Sequence, residues 1–235
     1  MKEKILTNVR IIDPSQQMDE DGNIIIDKNG KIKKIGKGVK ISDVNKDSEK
    51  IDLKGYIAIP GIVDMKAFVG EPGFEYKENF RTLSQAALAG GVTSIVTMPN
   101  TKPIIDNVSM VDFIIRRGRD KAKVNLFPCA SITRKIEGNQ MTEFGLLKAR
   151  GIIGFSDVTK TIQNAELMSR VMNYASDLDV LIMQHAEDYE LSKNASINEG
   201  EIATRLGLQG VSDLAEKIII ERDLSLLSEF PCRYH

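Results

Sequence analysis

Histidine is the scarcest functional residue in this chain. Only His185 and His235 occur among 235 residues, and there is no tryptophan. So few imidazoles leave little material for a histidine-rich metal centre, since imidazole is the commonest neutral protein ligand. They also leave no basis for a Ser-His-Asp set. Cysteine is equally scarce. Cys129 and Cys232 lie far apart in apolar surroundings, which excludes a Cys-x-x-Cys redox or zinc pair and points to buried free thiols in a reducing cytoplasm. No run is long and apolar enough to span a bilayer. The N-terminal MKEKILTNVRII has no apolar core or cleavage site of the secretory kind. Formal net charge is −1, so no general attraction to nucleic acid or to an anionic membrane is expected. The densest basic run, Arg116, Arg117 and Arg119, reads as a solvated helix end. Gly90-Gly91 follows a helical pattern instead of opening one, so no phosphate-binding glycine loop is present.

What the chain does contain falls into two patterns. Residues 1–59 read as a small β-sheet module. Short strands are expected at Ile5–Ile12, Asn23–Asp27, Lys31–Ile35 and Lys50–Leu53. Lys28-Asn29-Gly30 carries a hairpin signal, because Asn and Gly both tolerate positive φ. Asp19–Gly22 reads as a second polar turn. From residue 60 to 235 short apolar strands alternate with helices. Strands are expected at Ile62–Met65, Val92–Met98, Val124–Ala130, Ile152–Phe155 and Val180–Gln184. Helices are expected at Asn79–Ala89, Ser109–Arg117, Thr142–Ala149, Ala165–Leu178 and Asp213–Glu229. That alternation specifies a parallel sheet covered by helices. A doubly wound sheet and a (β/α) barrel both fit it. The polar loops MPNTKP, FSDVT and QHAED each begin where a strand ends, and in a barrel those ends share the face that carries the site. A closed barrel has eight strands, and only about five strand–helix units are visible. The expectation is therefore a partial barrel, its remaining strands in a longer natural product or in another molecule.

The most informative stretch is Pro60-Gly61-Ile62-Val63-Asp64-Met65-Lys66-Ala67-Phe68-Val69-Gly70-Glu71-Pro72-Gly73. Its frame resembles P-G-x-x-D-x-H-x-H-x-R-E-P-G, the first barrel strand of the dihydroorotases of the amidohydrolase superfamily. The chain also resembles that family at EPGFEYKE, at Met98–Asp106 (MPNTKPIID), at Gly154–Asp157 (GFSD) and at Gln184–Asp188 (QHAED). A further likeness is Arg205-Leu206-Gly207-Leu208-Gln209-Gly210, which leads into a helix with Glu216, Arg222 and Asp223. The resemblance implies an (β/α)8 TIM barrel of the amidohydrolase type, here truncated to roughly its first five units, beside the N-terminal β module. For active relatives it implies zinc-assisted hydrolysis of a cyclic amide, in which metal lowers the pKa of water and polarises the carbonyl.

Mapped onto this chain, the resemblance places Lys66 and Phe68 where the family has its two strand-1 histidines. Val158 stands at the metal-bridging aspartate, beside Asp157, and Gly70 stands at the arginine that holds the substrate carboxylate. Asn100, the other substrate contact, is kept, and His185 matches the strand-5 ligand. The strand-6 ligand and the general base would fall beyond His235. Phenylalanine and valine offer a metal no lone pair, and a lysine ammonium repels Zn²⁺. One surviving imidazole cannot hold a catalytic zinc, which takes about three protein ligands. No zinc or other cofactor is therefore expected. Lys66 either fills the vacated positive site and balances Asp64 or Asp157, or reaches solvent at the strand end. Asn100 either binds a ligand or serves only the turn. His185 is either a remnant ligand or a hydrogen-bonded structural residue. Glu71, Glu75 and Glu78 read as acidic residues at a helix start.

By resemblance, the implied function is a dihydroorotase-like protein of pyrimidine biosynthesis without hydrolase activity. It would act as an assembly subunit, with aspartate transcarbamoylase or a second copy of itself as partner. Two alternatives stay open. One is an active hydrolase with an altered site using Asp157, His185 or Lys66. The other is a binding module for a small pyrimidine precursor, which needs Asn100 to face an open pocket.

Overall fold

The computed structural model describes residues 2–235, which divide into two compact units, 1–61 and 62–235. The first unit is a mixed sheet of β1 (Lys4–Asp13), β2 (Met18–Ile26), β3 (Ile32–Gly36), β4 (Glu49–Asp52) and β5 (Ile57–Ala58). Its order is β3-β2-β1-β4, with β5 also pairing β1. A register shift between Leu6 and Val9, at Asn8 with φ 58°, divides β1 between two clusters: Ile5 packs with Ile25 and Val39, and Val9 and Ile11 pack with Ile24. The polar stretch Asp19–Gly22, expected as a turn, lies inside β2. It pairs with Val9–Ile12, and Asp19 accepts from Arg10 at 2.8 Å. The turn falls earlier, at Pro14–Gln16. At Lys28–Gly30 the hairpin forms as expected, but only Gly30 has positive φ (80°). Asp27 closes the loop by accepting the backbone N–H groups of Asn29 and Lys31.

The second unit alternates strand and helix: β6 (Ile62–Ala67), α1 (Phe80–Ala89), β7 (Val92–Thr97), α2 (Val108–Lys121), β8 (Asn125–Ala130), α3 (Phe144–Ala149), β9 (Gly154–Phe155), α4 (Ala165–Asp177) and β10 (Leu181–Ile182). A short excursion follows, of α5 (Tyr189–Ser192), β11 (Ile197–Asn198), α6 (Glu201–Leu206) and β12 (Gly210–Val211). The chain then returns through α7 (Leu214–Glu229) to β13 (Arg233–Tyr234). The main sheet is parallel and ordered β13-β10-β9-β8-β7-β6, so each strand pairs with the next barrel strand in sequence. This is a curled half-barrel. The five expected strand–helix units are present, and the last residues add a sixth strand that the short PCRYH run did not signal.

The helices begin where asparagine can accept their free N–H groups. Asn79, Asn107 and Asn164 cap α1, α2 and α4. Between sheet and helices lies a core that includes Phe80, Val111, Ile114, Phe144, Phe155 and Met168. Phe144 and Phe155 stack at 3.9 Å between centroids. α2 extends past the arginine run. Arg117 is therefore not at a solvated helix end; its Nε–H donates to buried Glu71 at 2.5 Å. The other Glu71 oxygen accepts the N–H of Phe80, the first residue of α1, at 3.1 Å, where a negative charge suits the helix dipole. At the other end of the sheet, Asp223 of α7 is fully buried. It is paired with Arg222 and accepts the Tyr234 hydroxyl at 2.6 Å and Gln184 Nε2–H at 3.3 Å. This network ties β13 and the end of β10 to α7. Among the described residues no helix is long and apolar enough to cross a membrane.

Candidate functional site

Lys66, Asn100, Asp157, Val158 and His185 all lie at or just beyond the C-terminal ends of β6, β7, β9 and β10. A barrel gathers its functional groups on that face. The structure does not gather these five into one place. Asn100, Asp157 and Val158 line a cavity of about 640 Å³. Lys66 and Val158 line a smaller axial one of about 150 Å³ with Met65, Met98 and Met183. His185 lines a third, open cavity beside α7.

Lys66 is exposed and forms no ion pair among the described residues; its backbone N–H donates to Asp64 Oδ1 at 2.9 Å. The ammonium thus balances neither Asp64 nor Asp157, and of the two readings solvent exposure is the one the geometry supports. Phe68 packs on Phe74, with centroids 6.1 Å apart, and Phe74 in turn meets Tyr76. An aromatic cluster therefore follows the first barrel strand. Gly70 has φ +75°. A Cβ placed there would lie 2.7 Å from the Glu78 carbonyl oxygen and 2.8 Å from that of Phe74. The loop has closed over the position, so the arginine that the resemblance implies has no room for even its first side-chain carbon.

Asp157 is buried and structurally engaged. Thr133 donates its backbone N–H to Oδ1 at 3.0 Å and its hydroxyl to Oδ2. Burial pushes the carboxyl above its usual range, while the Thr133 hydrogen bonds and the charge of Lys160 pull it back. Val158 has φ +64° although it is β-branched, and Lys135 and Ile136, on the same cavity wall, have φ +55° and +56°. Such conformations cost of order 1–3 kcal/mol each and concentrate at functional sites. A left-handed position suits aspartate better than valine. The backbone at 158 therefore favours the residue that the resemblance implies over the one present. His185 Nε2 lies 3.0 Å from Glu187 Oε2. The histidine holds Glu187 below the usual carboxylate range, after a larger contribution from Ser192.

Among the described residues no group of three or more His, Cys, Asp or Glu side chains is placed to hold a metal ion. The donor set does not fit a catalytic zinc: phenylalanine and valine have no lone pairs, the Lys66 ammonium is a cation, and the His185 ring is engaged by Glu187. Sequence reading missed Thr133, whose role appears only once β8 and β9 are adjacent. It also missed the lysines Lys102, Lys135 and Lys160 around the Asn100 cavity, which are scattered along the chain and carry no motif.

With that geometry in hand, the comparisons are specific. The family model described as dihydro-orotase-like matches residues 55–235. A dihydroorotase of Syntrophus aciditrophicus is 45% identical over 226 residues, covering 96% of this chain and 52% of that protein. One from Pelobacter propionicus is 40% identical over 222 residues, covering 94% of this chain and 51% of its own length. The chain thus spans about half the length of the curated relatives it matches. Among solved structures, the L-hydantoinase (dihydropyrimidinase) from Arthrobacter aurescens superposes with TM-score 0.79 at 19% identity, over 100% of this chain and 52% of that one. At that identity the likeness shows the fold alone, that of the TIM-barrel amidohydrolases.

Proposed function

The chain belongs to the dihydroorotase-like family, and from that premise we propose that it is a dihydroorotase-like protein of pyrimidine biosynthesis that has given up zinc-dependent hydrolysis and serves in the cytoplasm as an assembly subunit. The observation that carries this reading is the joint loss at four positions. Lys66 and Phe68 replace donor side chains, Val158 replaces the bridging carboxylate, and the loop at Gly70 has no space for the substrate-binding arginine. Here metal, bridge and substrate contact have gone together, while the fold and its loops are kept. A scaffold role needs only the fold, and aspartate transcarbamoylase or a second copy of the chain is the partner proposed.

The altered-hydrolase alternative requires Asp157, His185 and Lys66 to converge on one reacting centre. They share no cavity, and both Asp157 oxygens are already engaged by Thr133. The binding-module alternative is favoured by one observation, that Asn100 lines an open cavity; orotate titration tests it, and no binding at millimolar ligand removes it. The deciding experiment is metal analysis together with dihydroorotate hydrolysis by the full-length protein. The proposal expects neither bound zinc nor turnover above background. Stoichiometric zinc with robust turnover would overturn it. Size-exclusion chromatography with aspartate transcarbamoylase then tests the partner, and separate elution at micromolar concentration would remove it.

A further inference from the structure

We propose that Asn29, at the tip of the β2–β3 hairpin, is a modification site at which the asparagine is converted by its own backbone to isoaspartate and aspartate. The change adds a negative charge and, in the isoaspartate form, lengthens the main chain at the entry to β3. Asparagine is one of the thermolabile side chains. A glycine after it favours the reaction, because glycine has no Cβ to shield its amide nitrogen and reaches backbone angles closed to other residues.

Asn29-Gly30 is the only asparagine–glycine pair in the sequence. Both residues are exposed and lie outside the two strands. Gly30 has φ +80°, and nothing lies within 4 Å of the position that a Cβ would take. The Asn29 backbone N–H donates to Asp27 Oδ1 at 2.8 Å, but its carboxamide makes no hydrogen bond among the described residues. The other asparagines of this unit, Asn8, Asn23 and Asn45, each hold theirs in hydrogen bonds. Asn139, Asn173 and Asn194 are exposed too, but the residue after each carries a side chain. Asp21-Gly22 offers the related acid chemistry and is locked within β2. There Gly22 pairs with Val9, and the Gly36 carbonyl carbon lies 2.5 Å from where a Cβ would be.

In the reaction the Gly30 nitrogen attacks Asn29 Cγ. The N–Cγ bond forms, the Cγ–Nδ2 bond breaks, and Nδ2 leaves as ammonia with the proton that Gly30 gives up. Water then opens the cyclic imide at either carbonyl. One opening gives aspartate; the other gives isoaspartate, whose main chain runs through the former side chain and gains a methylene. One bond restrains the attack: Gly30 N–H donates to the Asp27 carbonyl at 3.0 Å and must be released first. In isoaspartate the free carboxylate sits on the same carbon as the N–H that the Asp27 carboxylate accepts, so like charges meet at short range. Beyond the tip, β3 is a border strand that pairs with β2 alone in this sheet, tethered by Lys33 to Glu3 and by Lys34 to Asp43. A longer, more negative tip therefore loosens a strand held from one side.

This inference goes beyond the assembly reading and does not depend on it. The test is peptide mapping by mass spectrometry of the full chain after storage in mildly alkaline buffer. The peptide carrying residues 29 and 30 is expected to become heavier by the difference between water and ammonia, progressively with time and faster as pH rises. Isoaspartate is read as methyl transfer from S-adenosylmethionine, with a protein isoaspartate methyltransferase as reagent. Asn139, Asn173 and Asn194 are internal references and should convert more slowly. Asn29→Gln should abolish the gain, since the longer side chain must close a larger ring. Amide exchange across residues 31–36 should quicken in the aged parent and not in aged Asn29→Gln. An unchanged mass at Asn29, when a synthetic peptide of residues 24–35 has converted, overturns the proposal. So does conversion at the reference asparagines as fast as at Asn29, or exchange in β3 that stays the same once isoaspartate has formed. The hydrolysis and zinc assays bear on the assembly reading alone, so the two can fail separately.

Discussion

Gly70 offers the sharpest test of whether the loop has room for the arginine that the resemblance implies. In Gly70→Arg the new residue must hold φ near +75°, which costs an L-residue about 1–2 kcal/mol. Its Cβ must also displace two backbone carbonyl oxygens, now 2.7 and 2.8 Å away. Those carbonyls belong to a tight turn in which Phe74 N–H donates to Gly70 O at 2.6 Å and Lys77 N–H donates to Phe74 O at 2.9 Å. Overpacking of this kind costs about 1–3 kcal/mol. The sum is about 3 kcal/mol, which for a chain of this size lowers Tm on the order of 10 °C. Gly70→Ala isolates the cause, since it adds the Cβ and nothing else, and should show most of the loss. Chemical and thermal denaturation followed by circular dichroism measure both variants. If Gly70→Ala lies within about 0.5 kcal/mol of the parent, a range typical of neutral surface changes, the loop is not closed as described.

Three other outcomes follow from the structure. Tyr234→Phe removes a hydrogen bond to the buried Asp223 carboxylate; it should destabilise by about 2 kcal/mol and speed amide exchange across residues 233–235, and unchanged exchange would refute the anchoring role. Asp157→Asn should gain on the parent as pH rises. Because burial raises the folded carboxyl above its unfolded value, the parent's contribution is intact below the unfolded pKa, about 4, and is lost as pH climbs through the folded value. Denaturation at pH 4 and pH 7 measures this, and a parent that gains on the variant between those values contradicts it. If zinc binding has been given up as proposed, chelation with EDTA should leave Tm unchanged within about a degree, since removing a bound ligand is what lowers it; a drop of several degrees would reveal a structural ion.

The strands and helices of 62–235 were legible because near-continuous apolar runs and asparagine caps repeat with little ambiguity. Less was legible where local chemistry and tertiary pairing conflict. Asp19–Gly22 has turn composition, yet its partner across β1 and the Arg10–Asp19 pair hold it extended. Arg233–Tyr234 is too short to announce a strand; the parallel neighbour Leu181–Ile182 makes it one. At the site, the resemblance singled out positions 66, 68, 70 and 158 but not what surrounds them. That Lys66 forms no ion pair among the described residues and that Asp157 is engaged by Thr133 are facts of distance. So is the closure of the loop over Gly70. The lysine cluster depends on three loops meeting, which no spacing along the chain encodes.

β6 forms one border of the parallel sheet, and Ile62, Val63 and Met65 are substantially exposed along it. An apolar strand at a sheet border is a template on which a further strand can pair. Asp64 and Lys66 are the only charges in this strand, and charged side chains, lysine above all, are how natural sheets discourage such growth. Among the described residues Lys66 thus stands on an exposed apolar strand at a place where a charge disfavours strand addition, a consequence that follows from its position alone.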